Sequence, residues 1–566
     1  MNLSVLSQKF YLFLVIFVLI GGMFRLTNLS GIPGGFHEDE AHIGYNAYSL
    51  LETLRDKNNV YLPLAIDQFG DFRPSGLHFL TIPSVAIFGL TEFATRFPVA
   101  LFGTFSIFVF YFLAREIFRK DLIALIASGM MALNPWHILA SRSTSESIVA
   151  LFFVILGVFL LLHAIRMAKN GLTDSNYTKS VVVGFISLLI SFQFYHAARY
   201  FVPFIVLYIG LWVFLEKKIE RKVKGIIITG TILLFAGLLF LFSVGGGSGR
   251  VSEISIFHNP ATQIMLWQQV TEDKGYARFI VRMLHSKPTA FTYTALVNYG
   301  AHFTPDFLFF KGGLPPRYQV PWSGNFYVTD AFFIILGLAV LITTLFNATK
   351  IHWLLGIPVI WLLAGPLPAA FTFEDIPHFQ RSIMLLPALL LIGSYGLFIL
   401  LSRFSVKRIR YLLILLLGLV FAYQVLIFSH GYFQHTLTHE AKYRNEGEGA
   451  LLTSVSEYKE QGKKVIMTSE GANLIIFYLF FNKFDPAKFQ ALGSPRDKDG
   501  LEFDGVVYDK VDCPSYTASR ENNTIYVDRG ECLVSTDYKN LKDIYRPDGT
   551  VVFRILEVAS IEEKAK

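Results

Sequence analysis

The sequence predicts a mostly α-helical, polytopic membrane protein of about 11 transmembrane helices, followed by a C-terminal α/β domain outside the membrane. Three observations carry this expectation. The 566-residue chain is 53% hydrophobic and 16% charged, with a mean hydropathy of +0.46; soluble domains carry roughly 25% charge. Apolar runs close to the ~20 residues a spanning helix needs recur as far as residue 429. Beyond 430 the apolar runs give way to short segments alternating with period two. The net charge of +7 sits in short loops between apolar runs, where it sets topology and does not mark a nucleic-acid surface. Two cysteines in the whole chain exclude a disulfide scaffold and a cysteine-based zinc site.

The first run, 10–28, follows Lys9 and lacks a small-residue cleavage site, so it reads as an uncleaved signal anchor with a cytoplasmic N-terminus. Further spans are expected near 97–114, 122–140, 147–165, 180–197, 200–215, 225–243, 328–346, 351–370, 382–401 and 411–429. Residues 77–90 are apolar but short, with a central proline. If they spanned, the basic cluster from Arg115 to Lys120 would face outward and every later loop would invert. As an interfacial helix they leave Lys9, that cluster, Arg166, Lys169, Lys179, the stretch "EKKIERKVK" (216–224), Lys350 and Arg403 to Arg410 all in the cytoplasm.

Four segments then share the outer face: a first loop (29–96), a short loop (134–146), a long loop (244–327) and a polar tail. The chain divides at 430, into a membrane domain (1–430) and an extracytoplasmic α/β domain (431–566). In the latter, strands are expected at "KKVIMTSE", "GVVYD", "TIYVD" and "VVFRILEV", and a helix at "GALLTSVSEYKEQG".

Ionisable groups at the membrane edge are costly and are functional candidates for that reason. The first loop carries Asp39, Glu40, Asp71, Arg73 and Arg96; the second, Arg142 and Glu146; the outer end of the fifth span, His196 and Arg199; the long loop, His302, Asp306 and Arg317; the turn "FEDIPHFQR", Glu374, Asp375, His378 and Arg381. Arginines bind phosphate through bidentate hydrogen bonds, and a carboxylate can take the proton of an attacking hydroxyl. Together they suit an outer-leaflet site for a lipid-linked phosphate donor. Plainer roles exist for several. Asp39 stands where a helix N-cap would, with Glu40 as a dipole partner. His37 and His42 could join Asp39 on a metal, though the ligand spacing is not clean. Arg142 and Glu146 are an i, i+4 pair. Cys513 and Cys532 are either a disulfide of an oxidising compartment or two free thiols.

"EDEAHIGYNAYSL" (38–50) resembles the Asp-Glu motif of polytopic glycosyltransferases of the GT-C fold, in particular the family 39 type, which includes protein O-mannosyltransferases and lipid A aminoarabinose transferases. "DFRPSGLHFLTIPSVAIFGLTEFATRFP", "NPWHILASRSTSE", "FQFYHAARYFVP" and "GPLPAAFTFEDIPHFQRSIMLLPAL" resemble later blocks of that family in order, over roughly residues 10–430. The chain has Arg73-Pro74-Ser75 where the family often has Lys-Pro-Pro or His-Pro-Pro. The resemblance implies an inverting transfer of a hexosyl or pentosyl group from a polyprenyl phosphate, undecaprenyl or dolichyl, to a protein, lipid or glycan acceptor. It implies Asp39 as the base with Glu40 beside it, and no required metal or other cofactor. Asp71, Arg73, Arg96, Arg142, His196, Arg199, His302, Arg317, His378 and Arg381 are then the expected ligands of donor and phosphate. A lipid-linked glycan ligase or flippase is an alternative, as is a secondary transporter, although the latter would need midplane charges and related halves that the sequence does not show.

Overall fold

The computed structural model describes residues 3–68, 71–171, 175–244, 254–347, 352–469, 474–495 and 501–559. The start of the long loop (245–253), the first residue of the expected span 351–370 and the last seven residues of the tail lie outside them.

Each of the eleven expected runs is helical, and among the described residues nine helices are long and apolar enough to cross a membrane. The N-terminal half comprises α1 (Leu3–Leu26), α2 (Glu38–Thr53), the hairpin β1 (Ala65–Gln68) and β2 (Asp71–Pro74), α3 (Gly76–Phe88), α4 (Glu92–Phe118), α5 (Asp121–Leu133), α6 (Pro135–Arg142), α7 (Glu146–Lys169), α8 (Ser175–Ser191), α9 (His196–Leu215) and α10 (Arg221–Val244). Four more long spans follow: Val328–Phe346, Trp353–Ala370, Ile383–Arg403 and Lys407–His439. The two departures have local causes. The run 122–140 breaks into α5 and α6, bent by 51° at Asn134-Pro135. Proline disfavours the helical conformation in the residue before it, and Asn134, in extended geometry, caps α6 by accepting the His137 N–H. The run 180–197 yields only the 17 residues of α8. With 13 residues, α3 rises about 20 Å, well short of a bilayer core.

The C-terminal unit has the four expected strands and the expected helix (Glu448–Glu460), with two strands that the alternation did not mark, one of three residues and one of eight. Its sheet runs β4 (Leu501–Phe503), β5 (Val506–Asp509), β3 (Lys464–Thr468), β6 (Thr524–Arg529), β8 (Val551–Val558), β7 (Tyr538–Tyr545). Strands β5, β3 and β6 are parallel and the outer pairings antiparallel. The crossover between the parallel strands β3 and β5 contains the buried apolar helix Leu474–Phe481. Cys513 and Cys532 form a disulfide, which decides the open choice between bridge and free thiols.

Two apolar cores result. One fills the span bundle. The other joins the sheet and the helix Leu474–Phe481 to α2, through Phe36, Ala41, Tyr45 and Ala47. Phe36 lies 4.6 Å from Phe480, ring to ring, and the Tyr45 hydroxyl donates to the Phe484 carbonyl at 3.0 Å. The helix bearing the acidic motif therefore rests on the C-terminal unit.

Candidate active site

The five charged segments meet around one cavity of about 610 Å³. It is lined by the start of α2 (His37, Glu38, Asp39, His42), the β1–β2 hairpin (Gln68, Asp71, Arg73), Glu146 at the start of α7, Tyr195 and His196 at the start of α9, Arg317, and the turn Glu374–Arg381.

The first turn of α2 fixes its acids in opposite directions. The N-cap is His37, not Asp39: its Nδ1 accepts the Asp39 backbone N–H at 3.1 Å, and its own N–H donates to Glu40 Oε2 at 3.1 Å. This capping box turns Glu40 inward and leaves the Asp39 carboxylate free of any capping duty. Asp39 points into the cavity, where its Oδ1 accepts from Arg73 Nη2 at 2.9 Å and its Oδ2 lies 3.6 Å from Arg317 Nη2. Burial pushes the Asp39 carboxyl upward, but the guanidinium of Arg73, with Arg317, outweighs it and holds the group well below the usual carboxylate range. Asp39 is thus ionised at neutral pH. Burial drives the His37 imidazole down to about 3.

Arg73 is shared among three acids. Besides Asp39, its Nε donates to Asp71 Oδ2 at 2.8 Å, and its Nη1 lies 3.7 Å from Glu146 Oε1. The expected Arg142–Glu146 pair is not formed, because the chain breaks between α6 and α7 and the two side chains part. Arg317 stacks over Tyr318 with 5.1 Å to the ring centroid. Arg381 is held by Thr372 Oγ1 at 3.0 Å and by Glu374 Oε2 at 3.2 Å.

Asp39, Asp71, Arg73, His196, Arg317, His378 and Arg381 therefore reach the cavity as expected. Glu40, Arg96, Arg142, Arg199 and His302 do not, and their assignments are corrected. Glu40 is buried and accepts five hydrogen bonds, from Arg96 Nε (2.8 Å) and Nη2 (3.1 Å), Arg444 Nη2 (2.8 Å), Thr144 Oγ1 (2.8 Å) and the His37 N–H. Arg96 also gathers the carbonyls of Leu29, Ser30, Pro33 and Gly35. Arg142 donates to the carbonyls of Phe24 at the end of α1 and of Thr27 and Ile32 beyond it, and stacks on Tyr432 and Phe433. Arg199 donates to the Phe192 carbonyl and fixes the turn ahead of Tyr195. His302 acts one step behind the cavity: its Nε2 accepts the His378 N–H at 3.0 Å while its Nδ1 donates to the Asn298 carbonyl. Burial lowers its pKa to about 4, so it is neutral in that role.

Sequence reasoning missed Tyr195, Gln68 and Gln380 as lining residues, and Arg444 as a partner of Glu40. Gln380 Nε2 donates to the Tyr318 hydroxyl at 2.7 Å and to Ser145 Oγ at 2.9 Å, tying three loops together. Among the described residues no three of His, Cys, Asp and Glu converge closely enough to hold a metal ion.

Residues 56–245 match the dolichyl-phosphate-mannose-protein mannosyltransferase family. Over 86 residues the chain is 35% identical to YkcB of Bacillus subtilis, named a candidate mannosyltransferase; the match spans 15% of this chain and 12% of that protein. ArnT of Cupriavidus metallidurans superposes over 97% of this chain and 98% of its own, with a TM-score of 0.50 at 11% identity. The Archaeoglobus fulgidus oligosaccharyltransferase AglB, solved with an inhibitory peptide and a dolichol-phosphate, superposes over 84% of this chain and 64% of its own, with a TM-score of 0.50 at 14% identity. The chain therefore has the GT-C fold of polytopic glycosyltransferases and carries, over residues 56–245, a segment of the dolichyl-phosphate-mannose-protein mannosyltransferase type.

Proposed function

We propose that this protein is an inverting glycosyltransferase that moves a sugar from a polyprenyl-phosphate carrier to an acceptor on the outer face of the membrane. The observation that carries the reading is the Asp39 carboxylate: it is free of the helix cap, ionised, and set in a cavity between two arginines. The acceptor hydroxyl or amine attacks the anomeric carbon from the face opposite the phosphate. The new bond forms as the anomeric carbon–oxygen bond to phosphate breaks. The electron pair leaves on the carrier phosphate, and the acceptor proton passes to Asp39.

Arg73 and Arg317 hold Asp39 and also suit a donor phosphate. A donor phosphate that draws them toward itself weakens their hold on Asp39, so the carboxylate gains basicity as the donor arrives. His378 and Arg381 also line the cavity, where Arg381 can meet the charge developing on the leaving phosphate. The disulfide supports placing the C-terminal unit, and with it the cavity, on the extracytoplasmic side of a plasma or inner membrane. The basic loops support the same orientation. The carrier class is supported by the family match and by the dolichol-phosphate bound to AglB.

Lipid mass spectrometry on membranes lacking this protein tests the reading. One polyprenyl-phosphate sugar should accumulate and return to its ordinary level when the wild-type gene, but not the Asp39→Asn variant, is restored. An unchanged carrier pool would remove the basis for a carrier-dependent transfer.

A further inference from the structure

The C-terminal unit meets the acidic motif at a buried ionic node. Arg444 lies just beyond the last span, 404 residues from Glu40 in sequence, and its Nη2 donates to Glu40 Oε2 at 2.8 Å. Both side chains are almost fully enclosed, at 2% and 3% exposure. The same Glu40 oxygen accepts the His37 N–H that closes the cap of α2, one residue from Asp39. Backbone fit reinforces the contact. Gly35 adopts φ +74°, and a β-carbon there would stand 2.5 Å from the Arg444 carbonyl oxygen, so only glycine admits this approach. Further along, Gln490 donates to Ser49 and Ser494 to the Lys57 carbonyl, so the unit grips α2 at both ends.

We propose that the C-terminal unit is a positioning element of the transferase site: Arg444 fixes Glu40, and through it the first turn of α2 that aims Asp39 into the cavity. The inference rests on the transferase reading above. Burying three charges is expensive unless each is matched. Glu40 serves two guanidiniums at once, which locks the turn in one geometry. Displacing a catalytic group by about 1 Å can cost on the order of a hundredfold in rate, so a loosened turn shows in turnover before it shows in donor binding.

The test uses the full chain in lipid nanodiscs, with purified polyprenyl-phosphate sugar. Arg444→Gln should lower kcat by on the order of tenfold to a hundredfold, with KM for the donor within about twofold of wild type. Arg444→Lys should recover part of that loss. Gly35→Ala, which displaces the Arg444 backbone without touching its charge, should give the same split. Hydrogen exchange at residues 37–45 should rise in Arg444→Gln. Unchanged turnover per folded molecule, or a loss of thermal stability alone with normal kcat, overturns the proposal, as does unchanged exchange in the α2 turn. If wild type transfers no sugar from any carrier, the transferase reading falls, while the exchange measurement still decides whether Arg444 holds the turn.

Discussion

The Asp39 side chain takes no part in capping α2, so replacing it should leave the start of that helix intact. Asp39→Asn is expected to lower transfer by on the order of a hundredfold or more, since the amide accepts no proton at neutral pH; a turnover assay alongside a melting curve checks both halves. Glu40→Gln should lower both stability and turnover, since Glu40 holds the turn that aims Asp39. It removes the charge that neutralises Arg96 and Arg444 inside the protein, a change that costs roughly 3–5 kcal/mol, read as a fall in melting temperature. The same group sets an acid limit. Burial pushes Glu40 up, but Arg96 and Arg444 prevail and hold it at about 2 against an ordinary 4.5. A depressed pKa contributes stability that is complete above the ordinary value and lost as pH falls toward the lower one. The melting temperature should therefore be level above about pH 5 and drop between pH 4.5 and 2. Arg73→Lys keeps the charge but cannot serve Asp39 and Asp71 at once. Turnover should fall severalfold and the acid limb of the pH–rate profile should move upward, as Asp39 loses part of what depresses it. The triplet of acids was legible in the sequence; which acid faces the cavity was not, because His37 can cap a helix only in a turn whose geometry the sequence does not display.

At the scale of elements, buried arginines repair broken backbone. Pro135 has no N–H for the Met131 carbonyl, and the Trp136 N–H goes to the Asn325 carbonyl in place of Ala132. Both freed carbonyls are taken by Arg25, at 3.0 and 2.8 Å, and Arg25 also meets His137 Nδ1 at 2.9 Å. Among the described residues Arg25 pairs with no carboxylate; the carbonyl end of α5 supplies the negative potential. Arg25→Met should leave each carbonyl unsatisfied at about 1–3 kcal/mol and lower thermal stability in detergent, with activity per folded molecule reduced much less. Arg96 and Arg142 serve irregular backbone in the same manner. Arg96, Arg142 and Arg199, expected as ligands of the donor phosphate, instead donate to carbonyls that water cannot reach. The Asn134-Pro135 break could have been marked from sequence, since that dipeptide disfavours helix continuation. The partners of Arg25 lie about a hundred residues away and could not.

For the whole molecule, apolar runs and basic loops sufficed to outline the bundle, because lipid imposes its demand locally on each helix. The docking of the C-terminal unit onto α2 was invisible, because Ala41, Tyr45 and Tyr48 recur at ordinary helix spacing and nothing local says what covers them. The sidedness proposed from the loops is open to a direct check. The chain's two cysteines are paired, so a single introduced thiol reports without background. Lys311→Cys should react with an impermeant thiol reagent in intact cells, and Lys222→Cys only after permeabilisation. The opposite pattern would place the cavity in the cytoplasm.

The seat of α2 on residues beyond 440 also orders events in time. Ribosomes deliver the chain from its N-terminus at about 5–20 residues per second, so Glu40 waits roughly 20–80 s for Arg444 to emerge. Throughout that interval α2 lacks the partner that aims it, and every span must be threaded before the partner arrives. A half-made chain can hold its place in the bilayer but has no finished centre with which to consume carrier. A stretch late in synthesis thus arms a loop made early, and a nonsense mutation ahead of the Arg444 codon should leave a threaded chain whose α2 turn is unheld.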